Sequence, residues 1–200
     1  TGGRGVAFPC TEEGILQAVS AGPGPHVFDC DELTTVVTGA EIAIDNDVIL
    51  DGEERLTVDG DLDHRLFVVA EGVTAELRGF VITRGVAPLG GAIWNAGVLT
   101  LTNTTVSGSS AAEGGGIHNV KAGTMTLMNA RVLENEADLG GGIFNDGTLT
   151  AVRTLVSENT AAGSGAGIVN ERVLTLAGST VSDNTAGGAG GGIFNVPGGD

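Results

Sequence analysis

Five copies of one hexapeptide pattern recur in this chain: GGAIWN from Gly90, GGGIHN from Gly114, GGGIFN from Gly140, GAGIVN from Gly165 and GGGIFN from Gly190. Their asparagines, Asn95, Asn119, Asn145, Asn170 and Asn195, are spaced by 24, 26, 25 and 25 residues. A second pattern keeps the same interval: LTLTNTTVSGSS from Leu99, MTLMNARVLENE from Met125, LTAVRTLVSENT from Leu149 and LTLAGSTVSDNT from Leu174. A period of this length marks a solenoid, in which each repeat buries its apolar side against its neighbours. Within each repeat, short stretches such as Leu99-Thr100-Leu101 alternate apolar with polar residues, which is the period of a strand. No window of ten residues from Thr34 onward carries a capped 3.6-residue period, so helical repeats are excluded.

These spacings predict an all-β fold: a parallel β-helix (β-solenoid) with three short strands per coil of about 25 residues and corners at the glycines and asparagines. Equivalent residues then stack as files along the axis. Ile93, Ile117, Ile143, Ile168 and Ile193 form one interior file, and Val106, Val132, Val156 and Val181 another. The five asparagines, and separately Asn135, Asn159 and Asn184, are placed to hydrogen-bond from coil to coil. The frame extends backwards, with Leu77 under Leu101 and Ile82 under Val106, and Ile42 to Gly60 supplies one more coil. Residues 1–200 are read as one domain: a capping helix over 11–21, irregular coils over 33–89 and regular repeats over 90–195. The helix starts at Thr11 as N-cap with Glu12 and Glu13 in its first turn and stops at Gly22-Pro23; Ile15, Leu16 and Val19 are its expected apolar face. No comparable lid follows Asn195, so the last coil is expected to be uncapped, either continuing into further coils or pairing end to end as a homodimer.

Composition bounds the function. The net charge is −16, with 16 acidic and 4 basic residues before position 81 and 9 and 5 after it. Such a surface repels nucleic acid and anionic lipid, leaving cations and neutral sugars as partners. No apolar run reaches the roughly 18 residues needed to span a membrane as a helix. Cys10 and Cys30 pair as a disulfide if the chain is secreted; the other reading is two buried free thiols.

The GGAI element (Gly90 to Ile93), the GGGI copies at Gly114, Gly140 and Gly190, GAGI at Gly165, and V-x-x-N at Val132, Val156 and Val181 resemble the Gly-Gly-Ala-Ile and Phe-x-x-Asn repeats of chlamydial polymorphic outer membrane proteins and related bacterial surface proteins. Val replaces Phe here, and Ser109 replaces Asn in the first copy. The resemblance covers about residues 40–200. It implies a right-handed parallel β-helix in a secreted or surface-displayed protein of extracytoplasmic location, with an adhesive or scaffold role; it does not imply a catalytic residue, since the matched positions are corners and ladders.

The residues themselves bear on several chemistries. No GGGI copy carries the Lys or the following helix of a phosphate loop, and GGAGGGIFN lacks the Asp of a calcium nonapeptide. Asp59, Asp61 and Asp63 alternate like the first ligands of a calcium loop, but His64 and Ala70 stand where that loop needs Gly and Glu; the competing reading is a solvated corner. Glu134, Glu158 and Asp183 form an acidic file for which a bridging cation is the corresponding hypothesis. Calcium is thus the one cofactor these residues suggest, and otherwise none is expected. Trp94, His118, Phe144, Val169 and Phe194 fall between each inward Ile and Asn, so they point outward. Trp94, His118, Phe144 and Phe194 form a candidate stripe for a glycan or another surface protein, unless neighbouring loops cover them. The expected function is a non-catalytic scaffold or adhesin. The alternative is a polysaccharide lyase or hydrolase drawing on Asp45, Asp47, Asp51, Asp59 and Asp63 with Arg55, Arg65, Arg78 or Arg84.

Overall fold

A computed structural model describes residues 6–198. The chain winds into a β-solenoid of about seven turns, with about 25 residues in each and one short helix. Every strand pairing is parallel, and the coils present three sheets, of 13, 4 and 7 strands. In a regular coil the first sheet takes Val98–Thr102 and Thr105–Ser107, the second Ser110–Glu113 and the third Ile117–Asn119. Each regular coil therefore holds four short strands on three sides. The fourth arises because the first-sheet segment bends at Asn103; one coil earlier, Thr74–Thr83 runs through the same bend unbroken.

The files expected from the repeats are present. The register pairs Ile93 with Ile117, Ile117 with Ile143, Ile143 with Ile168 and Ile168 with Ile193. It pairs Ile82 with Val106 and Leu77 with Leu101. Ile93, Ile117, Ile143, Ile168, Leu77, Leu99, Leu101, Ile82 and Val106 are all fully buried. Below the regular coils the third-sheet file continues as Phe67 and Ile42, where no Gly-Gly-x-Ile pattern announces it. At roughly 25 cal/mol per Å² of apolar area removed from water, these stacked aliphatic files are the main stabilising term.

Three corners per coil are made by left-handed backbone, and each corner is itself a file. The first is Gly79, Asn103, Asn129, Arg153 and Gly178; the second is Arg84, Gly108, Glu134, Glu158 and Asp183; the third is Gly90, Gly114, Gly140, Gly165 and Gly190. Only the third is glycine throughout. A Cβ on Gly140 would lie 2.6 Å from the Ile143 carbonyl oxygen, whereas one on Gly178 would meet nothing nearer than 3.8 Å. Positive φ alone tolerates Asn, Asp or Glu at a cost, but positive φ with a backbone oxygen in the Cβ position does not.

Two asparagine ladders run through the interior. Asn95 Nδ2 donates to Asn119 Oδ1 at 2.8 Å, Asn119 to Asn145 at 2.8 Å, Asn145 to Asn170 at 2.7 Å and Asn170 to Asn195 at 3.0 Å. Asn135 donates to Asn159 at 3.0 Å and Asn159 to Asn184 at 2.9 Å. Side chains within both ladders also bond backbone, as where Asn95 Oδ1 accepts from Gly97 N. Buried amides are thereby satisfied without water. A third, unexpected polar file lies at Thr104, Thr154 and Ser179, whose hydroxyls donate to carbonyls of the coil below.

The amino-terminal end departs most from the sequence reading. Val6–Pro9 and His26–Asp29 pair in parallel across the helix Glu12–Ala21, and His26–Asp29 pairs onward with Val48–Asp59. The solenoid thus begins before residue 33. Thr11 caps the helix, its hydroxyl accepting from Gly14 N at 3.1 Å. Ile15, Ala18 and Val19 are buried, but Leu16 is 39% exposed, because a residue one position after Ile15 is rotated about a quarter turn off the buried face. The helix is tied to the first coil through Asn46, which donates to Val19 O, and Glu12, which accepts from Gly39 N. Cys10 and Cys30 form a disulfide with Cα atoms 5.3 Å apart, joining the ends of the two parallel strands. At the far end the last coil leaves Val173 43%, Leu176 37% and Ile193 37% exposed.

Candidate functional site: the outward file of the third sheet

The register makes one outward file of Val68, Trp94, His118, Phe144, Val169 and Phe194. Its accessibility is uneven. His118, Phe144 and Val169 retain only 6%, 5% and 2% of their surface, while Trp94 and Phe194 are half-buried. Part of the cover comes from the glycine corners. A Cβ on Gly90 would lie 3.1 Å from His118 Cβ, one on Gly165 2.5 Å from Val169 Cγ2 and one on Gly190 3.0 Å from Phe194 Cβ. The corner backbone folds over the flank of the sheet, so outward direction does not become exposure in mid-file. The glycines serve both the turn and the close approach.

His118 stacks on Phe144 with ring centroids 5.0 Å apart and a 30° tilt. Its Nδ1 is buried and lies 3.9 Å from Glu113 Oε2. Burial pushes the imidazole below its ordinary pKa, opposed by Asp146 and Glu113 and reinforced by Arg65. At neutral pH the ring is an uncharged, packed group.

Trp94 is different. It lies in a shallow depression of about 350 Å³ lined by Glu41, Arg65, Val68, Pro88 and Leu89. Arg65 is held at the rim by Glu41 Oε2 at 3.2 Å and by the Leu89 carbonyl, to which its Nη1 donates at 2.9 Å. The depression therefore combines an indole, three apolar side chains and one oriented ion pair, a mixture suited to a ligand with one apolar and one polar surface. It sits where the irregular coils meet the regular ones. Pro88 and Leu89 lie just ahead of the first copy of the glycine corner, at Gly90.

The other candidate residues occupy different places. Arg84 lies between two of the three alternating aspartates, pairing with Asp59 Oδ2 at 3.1 Å and with Asp61 Oδ1, while the Asp63 side chain is 88% exposed. Asp59 Oδ1 also accepts from Asp61 N at 2.8 Å. Glu134, Glu158 and Asp183 are exposed residues of the second left-handed corner. Among the described residues no group of three or more His, Cys, Asp or Glu side chains is placed to hold a metal ion. Asp47 accepts from Thr74 N at 2.7 Å, and Asp51 accepts from Glu53 N at 2.9 Å and lies in a separate depression. Arg55 donates to the Cys30 carbonyl at 3.2 Å. Glu76, whose carboxyl is held below the usual range by its 2.7 Å bond to Arg78, pairs along one strand. No described helix is long and apolar enough to cross a membrane.

The chain matches no protein-family model, no curated protein and no solved structure, so what it does is argued from its own residues.

Proposed function

We propose that this protein is a non-catalytic β-solenoid scaffold of adhesin type, secreted or displayed outside the cytoplasm, that binds a carbohydrate at Trp94. The observation that carries this reading is the open depression beside Trp94, where an indole face adjoins an apolar shelf and the Arg65–Glu41 pair. A pyranose ring offers a matching apolar face and a hydroxyl edge. Supporting it, Asp47, Asp51, Asp59, Asp61 and Arg84 are engaged in corner hydrogen bonds and ion pairs. The disulfide accords with an oxidising compartment, and the repeats resemble those of bacterial surface proteins. The test is a glycan array probed with the wild-type chain and with Trp94→Ala, each checked for an unchanged melting curve. Binding of a defined glycan set by the wild type and its loss in the variant is the expected result. If no glycan is retained, or if Trp94→Ala binds as the wild type does, this reading fails.

A further inference from the structure

A separate face of the solenoid, on the first sheet, is regular along four coils. The first-sheet strands Val98–Thr102, Thr124–Met128, Thr148–Val152 and Val173–Ala177 pair residue for residue without a register shift. In the first three strands the inward positions are the buried Leu99, Leu101, Met125, Leu127, Leu149 and Ala151, and in all four the outward positions form three ranks. The middle rank is threonine in all four coils: Thr100, Thr126, Thr150 and Thr175. The rank beside it holds Thr124 and Thr148 between Val98 and Val173, and the third runs from Thr102 to Ala177. No charged residue interrupts these ranks in a chain of net charge −16. The charged Glu76 and Arg78 stand one coil below, at the edge of the array.

The geometry of such a face is repetitive in two directions. Neighbouring strands set a spacing of about 4.8 Å along the axis, and residues two apart on one parallel strand set about 6.6 Å across it. Threonine is stiff at χ1, so hydroxyl and methyl groups repeat in fixed orientation with the backbone. The six hydroxyls of Thr100, Thr126, Thr150, Thr175, Thr124 and Thr148 have no hydrogen-bond partner among the described residues. Thr102, by contrast, is tied to Glu76 at 3.1 Å. A surface of preorganised hydroxyls loses little conformational entropy on binding and asks for a partner that repeats as regularly as it does.

We propose that the face carrying Thr100, Thr126, Thr150 and Thr175 binds the ordered oxygen lattice of an ice crystal. Ice is uncharged, matching the absence of charge here. Each water offers donors and acceptors, as does each hydroxyl. The interleaved methyl groups order adjacent water without competing for its hydrogen bonds. A crystalline polysaccharide is the poorer match, since no aromatic ring stands on this face; Trp94 is on the third sheet. The inference is independent of the carbohydrate reading, because the two faces share no residue.

The experiment grows an ice front slowly through a dilute solution of the chain and compares protein in the ice with protein in the liquid, with serum albumin as reference. Thr126→Tyr, which stands a ring off the centre of the array, and Asp138→Tyr, the same change on the second sheet, are run in parallel. Several-fold enrichment of the wild type and of Asp138→Tyr in the ice, with Thr126→Tyr reduced to the albumin level, is expected. Exclusion of the wild type from the ice overturns the proposal, as does equal enrichment of Thr126→Tyr. A wild-type dimer in light scattering that Thr126→Tyr converts to monomer also overturns it, by assigning the face to a second copy. The wild-type result stands even if a variant fails to fold.

Discussion

Asn119 Nδ2 donates to Asn145 Oδ1 at 2.8 Å, and both side chains are completely buried. The same bond recurs above and below, so each amide is donor to one coil and acceptor from another. Replacing Asn119 by Ala strands the Asn95 donor and the Asn145 acceptor on that side. A loss of about 3 kcal/mol is expected from leaving buried polar groups short of partners. Asn195→Ala, at an exposed rung, should cost about 1 kcal/mol. Urea unfolding of both variants checks the contrast; equal losses would show that the ladder is incidental to stability.

The corner glycines separate conformation from space. Gly140→Ala places a methyl 2.6 Å from the Ile143 carbonyl oxygen at φ 64°, and the whole corner must shift. Gly178→Ala has the same sign of φ, 60°, but open space. The first should cost about 3 kcal/mol or more, the second about 1 kcal/mol. Gly178→Asn should cost less still, because Asn103 and Asn129 already occupy that file at φ 51°. Thermal melting of the three variants provides the measurement.

Reduction of the Cys10–Cys30 bridge frees a loop with a sequence separation of 20. On the chain-entropy argument this removes roughly 3 kcal/mol of stability from the unit that contains the helix. Hydrogen exchange of the Cys10→Ser, Cys30→Ser variant should show faster opening over Val6–Asp29 than over the coils from Val98 onward. Uniform acceleration along the whole chain would contradict a local role.

His118 makes stability depend on pH in a definite direction. Its folded pKa is depressed by burial, so protonation favours the unfolded chain. The contribution is fully present above the unfolded value of about 6.5 and is lost as pH falls from there through the folded value. The groups facing the ring are Glu113, Asp146 and Arg65. His118→Phe, which installs the side chain found at Phe144, should lessen the fall in urea midpoint between about pH 7.5 and about pH 5. An unchanged slope would mean that carboxylates alone set the acid limit.

Much of the fold was legible because a solenoid turns distance in sequence into distance in space. The interval between Asn119 and Asn145 is itself the statement that they touch. The same arithmetic placed Leu77 under Leu101 and Ile82 under Val106. It failed where coils carry no repeated pattern: Phe67 in the third-sheet file, and the strand His26–Asp29, which reads as a short apolar stretch between turns. It also failed for Leu16, where an apolar residue lies off the helix stripe set by Ile15, Ala18 and Val19.

The candidate site shows the same division. Alternation assigned Trp94, His118 and Phe144 to the outward side correctly, since the period of a strand is a property of the chain. Whether an outward residue meets solvent depends on what crosses it, and here the crossing backbone is a corner of the same or an adjacent coil. That contact is settled by three-dimensional path, so only the structure buried His118 and Phe144 and left Trp94 open. Likewise, Asp59, Asp61 and Asp63 follow one another in sequence, but it is the stacking of Arg84 one coil above that neutralises the first two. Coil period, the interior files of the repeated coils and the two asparagine ladders were determined by the sequence alone; exposure and charge pairing were decided by tertiary structure, because both are properties of neighbours that the linear order does not name.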